Sequence, residues 1–124
     1  MAEGIEPKPF SDDIITGSYT PDATYGNLIF GTSWLIKKMG KLVIVSGEIL
    51  TEGTSLPDNT KVTIATIDAG FRPLYRQRLS LVITDSGTTS VPKGTGMLSI
   101  DADGTVKFIE TAKGFTAFSV AYFI

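Results

Sequence analysis

Short apolar runs separated by turn residues occupy most of the chain from Leu28 to Ile124. Each run spans roughly four to nine residues and is bounded by Gly, Asn, Asp or Pro, and no apolar stripe recurs at helical spacing. The runs predict strands at residues 33–38, 41–50, 61–67, 78–84, 96–100, 105–109 and 115–124. This pattern is typical of an all-β domain built from antiparallel strands.

Two of the connections are typical of β-hairpins. Met39 and Gly40 alone separate the first two predicted strands, a short Gly-containing link of the kind a hairpin uses. The sequence Asp101-Ala-Asp-Gly104 joins two later strands; its glycine can adopt a positive φ, and the Asp side chains can bond nearby backbone N–H groups. A second hairpin is therefore expected there.

The N-terminal segment differs in composition from the rest of the chain. Residues 1–27 are rich in Pro, Asp and Gly, which indicates turns and loops broken only by the short apolar run Ile14-Ile15. We expect residues 1–27 to form an arm or neck that lies over or joins the domain, and residues 28–124 to form the β-domain itself. No internal repeat or low-complexity tract indicates a second domain.

Two segments are apolar on both faces of the predicted strand. Most strands alternate apolar and polar positions, as residues 105–109 do, but residues 42–45 and 118–124 carry few polar side chains. One interpretation is packing within a β-sandwich core. The other is burial against identical subunits, because exposed apolar area of this extent favours association. We expect an oligomer.

Composition excludes several classes of function. The 124 residues, 42% of them hydrophobic, suffice for one core, and 11 Lys and Arg against 13 Asp and Glu leave no basic field for a nucleic acid. With no His and no Cys, the chain cannot hold a Ser-His-Asp triad, a thiol nucleophile, a haem or a zinc site of nitrogen and sulfur ligands. Met1–Phe10 resembles no signal peptide, and no apolar stretch approaches the ~18 residues of a membrane span.

The remaining catalytic option is hydrolysis of glycosides by paired carboxylates, but no spacing among the acidic residues singles out a pair. The turn Asp101–Gly104 resembles the start of a calcium loop, yet it lacks the third acid and the closing bidentate Glu, so a plain turn is expected. The small polar residues of 85–96 suit either an ordinary loop or an adaptable binding rim. We predict no catalytic residue, no metal and no cofactor.

The most distinctive stretch is 68–78, which concentrates two aromatic residues and three arginines between strands. Arg72 and Arg76 can donate bidentate hydrogen bonds to sugar hydroxyls or phosphate, and Tyr75 can stack on a sugar face. The alternative is structural, with Phe71 closing the end of the sandwich and Arg72 bonding loop carbonyls. Trp34 is either a core anchor or an exposed stacking surface. The candidate ligand-binding residues are Trp34, Arg72, Tyr75 and Arg76.

Four motifs in order resemble the C-terminal head domains of tail fibres and receptor-binding proteins from phages and prophages of Gram-positive bacteria. They are Trp34-Leu-Ile-Lys-Lys-Met-Gly40, Gly70-Phe-Arg-Pro73, Asp103-Gly-Thr-Val106 and the terminal Phe118-Ser-Val-Ala-Tyr-Phe123. The resemblance covers residues 28–124. Each motif alone is weak, and their order carries the specificity.

The resemblance implies a single antiparallel β-sandwich of jelly-roll type, assembled as a homotrimer at the tail tip of the virion. It implies binding to cell-surface glycan such as teichoic acid or wall polysaccharide, contacts with other tail or baseplate proteins, and neither nucleic acid nor membrane insertion. The Arg-Pro motif of the family belongs to a structural loop, so the match of Arg72-Pro73 to it makes Arg72 a weaker ligand candidate than Trp34, Tyr75 or Arg76. A complete fibre would also have a coiled-coil or collagen-like shaft, which these residues lack.

Three alternatives stay open at this point. The same fold could serve as a structural fibre or baseplate component that never touches the host, or as a depolymerase that cuts wall polysaccharide with paired carboxylates. A cytokine-like or C1q-like trimer has similar topology but needs a eukaryotic host, which nothing in the sequence indicates. Direct adhesion to bacterial cells distinguishes a receptor-binding head from the structural component. Release of reducing ends from wall polysaccharide identifies the depolymerase.

Overall fold

The computed structural model describes residues 13–29, 34–54, 56–57, 59–85 and 91–124, and within them the chain is all-β. That part of the chain contains no α-helix and only one short 3₁₀ turn, at Gly26–Leu28. The strands are β1 (Ile14–Thr16), β2 (Tyr19–Pro21), β3 (Leu35–Met39), β4 (Leu42–Leu50), β5 (Val62–Ile67), β6 (Gln77–Thr84), β7 (Pro92–Ile100), β8 (Thr105–Glu110) and β9 (Phe115–Phe123). The predicted all-β class and antiparallel pairing are confirmed.

All nine strands belong to one antiparallel sheet with the order β1-β3-β4-β9-β6-β7-β8-β5-β2. The two edge strands are consecutive in the chain, because only Gly17 and Ser18 separate β1 from β2. The Gly17 N–H donates to the carbonyl of Ile36 in β3, and Asp68, which directly follows β5, donates its N–H to the Ser18 carbonyl. Since one short segment touches both edges, the sheet must curl, and its shape is that of a half-barrel.

The sheet divides between β9 and β6. These strands share a single residue pair, Thr84 with Phe115, whereas β4 and β9 pair at every position from Leu42 with Phe123 to Leu50 with Phe115. We call strands β1, β3, β4 and β9 the β4 half, and strands β6, β7, β8, β5 and β2 the β7 half. The two halves are therefore joined by a narrow connection.

The hydrophobic core consists of the inward side chains of the two halves. Along β4 the buried residues alternate, as Val43, Val45 and Ile49, and along β8 they are Val106 and Phe108. Burial of each such side chain contributes about 1.5–3 kcal/mol. The alternation explains why these sequences form half-exposed strands rather than helices.

Both predicted hairpins are confirmed, one with a shifted turn. Met39 pairs with Leu42, so the turn residues are Gly40 and Lys41 rather than Met39 and Gly40. Gly40 has a φ of 62°, which favours glycine at the first central position of a two-residue hairpin turn. In the second hairpin the Gly104 N–H donates to the Asp101 carbonyl at 2.9 Å, closing the expected turn.

Two segments are more ordered than the sequence predicts. The arm contributes both edge strands, β1 and β2, because the curled sheet offers it a partner at each edge. Strand β7 begins at Pro92, so residues 92–95 are strand rather than loop; Thr95 and Thr111 exchange backbone and side-chain hydrogen bonds that hold them there. Residues 1–12, residue 33 and residues 86–90, which the predictions also covered, lie outside the described residues.

The outer face of the β4 half carries an apolar patch, as the sequence predicts for residues 42–45 and 118–124, and the exposed Lys37 lies in the row beside it. Ile14, Met39, Leu42 and Phe123 lie opposite one another across four strands, and the side chains of Ile14 and Phe123 are 60% and 68% exposed. Ile44 and Leu35 extend this surface, which we call the outer apolar face.

Candidate functional site

An ion-pair cluster lies at the end of the β7 half where β6 begins and β7 ends. Asp101, which directly follows β7, accepts a hydrogen bond from Arg76 Nε at its Oδ1 (2.7 Å) and pairs with Lys107 Nζ at its Oδ2 (3.1 Å). The Asp101 side chain is only 13% exposed, whereas those of Arg76 and Lys107 are 49% and 33% exposed. The carboxylate therefore holds two cations in fixed positions at the surface.

The Asp101 carboxyl stays ionised in this setting. Burial alone would raise its pKa, but the hydrogen bonds and positive charges of Lys107 and Arg76 outweigh burial and lower the pKa below the ordinary 3.8. The cluster is consequently charged throughout the neutral range, with two cations for one anion.

Tyr75 lies beside the cluster and is the most exposed large side chain of the neighbouring loop, at 79%. Gln77 Nε2 donates to the Tyr75 carbonyl at 2.9 Å, which fixes the backbone under the ring. Among the described residues no aromatic ring packs against Tyr75, and its exposure leaves most of the ring accessible for stacking. We call Tyr75, Arg76, Asp101 and Lys107 the Tyr75 surface.

A groove of about 490 Å³ lies on the outer face of the β7 half, and none of the Tyr75 surface residues lines it. Cross-strand register puts Arg78, Ser99 and Lys107 in one row of that face, and the next row comprises Ser80, Met97 and Ile109. The groove walls include apolar side chains together with hydroxyl and amide groups, namely Val82, Met97, Ile109, Ser80, Thr95, Thr111 and Asn59. Such a lining can pack against the C–H faces of a ligand and bond its hydroxyls.

The other two predicted ligand residues, Trp34 and Arg72, have structural roles. Trp34 is 5% exposed; its ring packs edge-on against Phe118 at 5.2 Å, and its Nε1 donates to the Glu48 carbonyl at 2.9 Å. Trp34 is therefore a core anchor. The alternative, that Trp34 forms an exposed stacking surface for a ligand, is corrected by its burial. Arg72 donates from Nε to the Ile67 carbonyl at 2.8 Å, and Phe71 is buried, as the structural alternative for this loop expects.

Sequence reasoning missed Asp101 and Lys107 as members of a binding surface. The sequence predicts Asp101 as a turn residue with a weak resemblance to a calcium ligand, and Lys107 as the polar position of an alternating strand. The hairpin register could have placed Lys107 on the same face as Arg78, because both lie opposite Ser99. Their meeting with Arg76 depends on how the loop 68–76 folds, for which the sequence gives no signal.

Acidic residues elsewhere have local roles or do not cluster. Asp103 Oδ1 accepts a hydrogen bond from the Thr105 N–H; the hydrogen bonds of Thr105 lower the pKa of this carboxyl. Glu110 is buried and accepts a hydrogen bond from Thr51 Oγ1 at 2.8 Å. Within the described ranges no three acidic side chains come together as a metal site. No helix in the same ranges is long and apolar enough to cross a membrane.

Fold and surface together define an all-β protein that carries an aromatic and charged surface at one end of a curled sheet. No protein family matches the chain, and no curated protein sequence matches it either. The geometry of the Tyr75 surface, together with the motifs that resemble phage receptor-binding heads, is therefore the basis for a functional proposal.

Proposed function

We propose that this chain is the head domain of a phage receptor-binding protein, and that its Tyr75 surface binds bacterial cell-surface glycan without catalysis. The observation that carries the proposal is the exposed Tyr75 ring beside the Arg76–Asp101–Lys107 cluster. Teichoic acid or wall polysaccharide is the proposed ligand class. The protein would act at the tail tip of the virion, as part of a fibre or baseplate.

The chemistry of the surface suits a glycan. The Tyr75 ring offers an apolar face to the C–H groups of a sugar and a hydroxyl at its edge. Arg76 donates from Nε to Asp101, and its remaining N–H groups can donate to sugar hydroxyls or phosphate oxygens. The groove along β6, β7 and β8 gives room for neighbouring sugar units.

The proposed assembly is a homotrimer of jelly-roll β-sandwiches held beside other tail or baseplate proteins. Two facts support it: the sheet is divided into halves that enclose one core, and the outer apolar face is of the kind that subunit contacts cover. Several weak sites on one particle would raise avidity through effective concentration.

Adhesion to Gram-positive cells and to purified wall glycan tests the binding proposal. Tyr75→Ala and Arg76→Ala are expected to lower the bound fraction at least about tenfold, the loss of roughly 1.4 kcal/mol of binding free energy. Lys41→Ala is the matched control, because Lys41 is an exposed cation in the β3–β4 turn of the β4 half and belongs neither to the Tyr75 surface nor to the groove lining. Equal binding by all variants, or no binding by the wild-type chain, would contradict the proposal.

The mass of the purified chain tests the assembly. Light scattering on a size-exclusion column is expected to give about three chains. Substitution of Ile44 by Lys on the outer apolar face is expected to reduce the trimer to the monomer, because a charge cannot be buried there without a partner. A trimer that survives this substitution would place the contact elsewhere.

The outer apolar face favours one other function, a structural fibre or baseplate component that binds neighbouring proteins and not the host. In that case the chain assembles but adheres to no cells. Release of reducing ends from wall glycan would instead identify a depolymerase.

A further inference from the structure

Arg78 is an exposed cation on the outer face of β6, in the row next to the Arg76–Asp101 pair. Among the described residues it forms no hydrogen bond and no ion pair. Its row continues across the sheet through Ser99 of β7 to Lys107 of β8. The row therefore begins with a guanidinium whose donors are unused within the described part of the chain, and it ends with an ammonium that Asp101 holds.

Ser99, in the middle of this row, has a buried hydroxyl. The residue is 3% exposed, and none of the described residues forms a hydrogen bond with its Oγ. Strand alternation directs its side chain to the outer face, as it does for Met97, which is 39% exposed. Burial of a hydroxyl without a hydrogen-bond partner costs free energy, and native structures rarely retain such a group without a reason. A ligand on the outer face that accepts a hydrogen bond from Ser99 supplies that reason.

Positive charge is in excess around this row. The three cations and the one carboxylate of the two neighbouring rows are Arg76, Arg78, Lys107 and Asp101. In the adjoining turn Asp103 adds a carboxylate, and Arg72, whose Nε lies beside Gly104, adds a cation. Four cations against two carboxylates leave an excess of two positive charges, whereas the whole chain has a net charge of −2. This end of the outer face therefore attracts anions.

We propose that Arg78, Ser99 and Lys107 form a phosphate subsite, and that the glycan bound by this protein carries phosphodiester groups. Arg78 and Lys107 lie on either side of β7, about 10 Å apart at Cα, so that their long side chains can close over one anion. The guanidinium fork of Arg78 bonds two phosphate oxygens, Lys107 adds a second positive charge, and the Ser99 hydroxyl donates from between them. Donors on three sides fit the tetrahedral oxygens of a phosphate better than the planar oxygens of a carboxylate.

The phosphate subsite lies between two surfaces suited to sugar or polyol units. On one side are the exposed Tyr75 ring and the Arg76–Asp101 pair. On the other side, two residues along each strand and about 7 Å away, the next row lines the groove with Ser80, Met97 and Ile109. A linear glycan with a phosphate between neighbouring units matches this succession of ring, cations and groove. The subsite rests on the proposed function for its glycan and adds the charged linkage that selects it.

The first test is titration of the full chain with dimethyl phosphate, a diester without a sugar, at constant ionic strength and followed by backbone amide NMR shifts. Saturable shifts are expected around Ser99, and Arg78→Ala is expected to weaken binding at least about fivefold, because charge-assisted hydrogen bonds are lost. Lys93→Ala removes the same charge from the strand of Ser99, about 20 Å away, and is expected to keep the affinity within about twofold. No saturable shifts, equal losses in both variants, or equally tight binding of acetate overturns the phosphate subsite.

The second test is Ser99→Ala, which separates a ligand role of the hydroxyl from a structural one. The variant is expected to bind dimethyl phosphate at least about threefold more weakly, because one hydrogen bond to the anion is lost. Its thermal unfolding temperature is expected to equal or exceed that of the wild type, because no described residue loses a hydrogen bond. Unchanged affinity, or a destabilised variant, would assign Ser99 to the fold and overturn its place in the subsite.

The third test compares adhesion of the wild-type chain to wall glycan before and after treatment with hydrogen fluoride, which cleaves phosphodiesters. The bound fraction is expected to fall at least about tenfold after the treatment. Equal binding before and after would overturn the phosphate inference and leave the proposed glycan binding intact. Saturable binding of dimethyl phosphate without adhesion to either wall preparation would contradict the proposed function and leave the phosphate subsite.

Discussion

At the residue scale, the core around Trp34 depends on a position without a side chain. Gly47 of β4 lies under the indole ring, so that a Cβ at this position would be 2.2 Å from Trp34 Cδ1. The indole ring cannot move away, because the rings of Phe118 and Tyr19 pack against it with centroid distances of 5.2 Å each. Its Nε1 also donates a hydrogen bond to the Glu48 carbonyl. The contact links β4, β9 and the N-terminal segment.

Gly47→Ala is expected to lower the free energy of unfolding by about 1–3 kcal/mol, since overpacking forces a rigid buried ring to move. Urea unfolding followed by Trp34 fluorescence measures the loss. Ser46→Ala, one residue earlier and on the outer face of β4, is the matched control and should change stability by less than about 0.5 kcal/mol. Equal effects of the two substitutions would show that the indole is not held as described.

Tyr122 joins β9 to the loop that carries the Tyr75 surface. Its hydroxyl donates to the Phe71 carbonyl at 2.5 Å, and its side chain is buried among the core residues. Burial raises the pKa of Tyr122 from 10.0 to about 12, because the phenolate loses the hydration that stabilises its charge. The folded state therefore keeps the proton to higher pH than the unfolded chain does.

The stabilising contribution of this raised pKa is fully present below pH 10.0, falls as the unfolded chain ionises, and is lost as pH rises through about 12. Tyr122→Phe should cost about 1–2 kcal/mol at neutral pH, because the Phe71 carbonyl loses its donor. The variant should also lose less stability than wild type between about pH 10 and about pH 12. Urea unfolding across that range checks both; parallel curves would exclude Tyr122 as the source.

At the element scale, the β3–β4 hairpin sets the register of the β4 half. The chain turns at Gly40 and Lys41, and a Cβ at Gly40 would meet nothing within 4 Å. The only obstacle to another residue there is the φ of 62°. The hairpin thus offers a place to measure backbone conformation apart from packing.

Gly40→Ala is expected to lower the free energy of unfolding by about 1–2 kcal/mol, the cost of a left-handed conformation for an L-residue. Gly40→Asn should lose less, because asparagine tolerates this conformation. Lys41→Ala is the control in the same turn. Thermal unfolding ranks the variants, and equal losses for Ala and Asn would contradict the conformational explanation.

The β7–β8 hairpin carries the ion pairs of the Tyr75 surface. Asp101 closes the turn with its carbonyl and holds Arg76 and Lys107 with its carboxylate. Its lowered pKa stabilises the fold above its ordinary value of 3.8, and this contribution is lost as pH falls through the lower folded value.

Asp101→Asn is therefore expected to destabilise the fold by about 1–2 kcal/mol at neutral pH, because the ion pairs lose their anion. The difference from wild type should shrink below about pH 4, as Asp101 in the wild-type protein becomes protonated too. Unfolding at several pH values measures it. A difference that stays constant to about pH 2 would assign the loss to the turn rather than to the charge.

At the scale of the whole molecule, the N-terminal segment closes the curled sheet. β1 pairs with β3 at one edge and β2 with β5 at the other, and the Ser18 hydroxyl donates to Asp68 Oδ2 between them. The segment covers the edge backbone groups of two longer strands. Without it, both ends of the sheet would expose unpaired N–H and C=O groups.

Deletion of residues 1–21 is expected to lower the free energy of unfolding by at least about 2 kcal/mol and to promote aggregation, because β3 and β5 become exposed edges. Deletion of residues 1–12, which leaves β1 and β2 in place, is the matched comparison. Chemical unfolding and light scattering distinguish the two deletion variants. Equal stability after both deletions would show that the edge strands contribute little.

The sequence by itself determined the strands, because alternation and turn residues are local properties. The β3–β4 and β7–β8 hairpins, and the all-β class, follow from patterns within about ten residues. It also identified Tyr75 and Arg76 as exposed candidates, since a loop rich in arginine and tyrosine differs from the strands around it.

The tertiary structure alone decided how the sheet closes and what each candidate side chain contacts. Whether Trp34 lies in the core or at the surface depends on the approach of Gly47 and Phe118, which are distant in sequence. The meeting of Arg76, Asp101 and Lys107 and the strand character of the arm likewise depend on pairings between distant segments. Local pattern fixes how a segment folds, but long-range hydrogen bonding and packing select its partner, and the composition of one segment does not encode that choice.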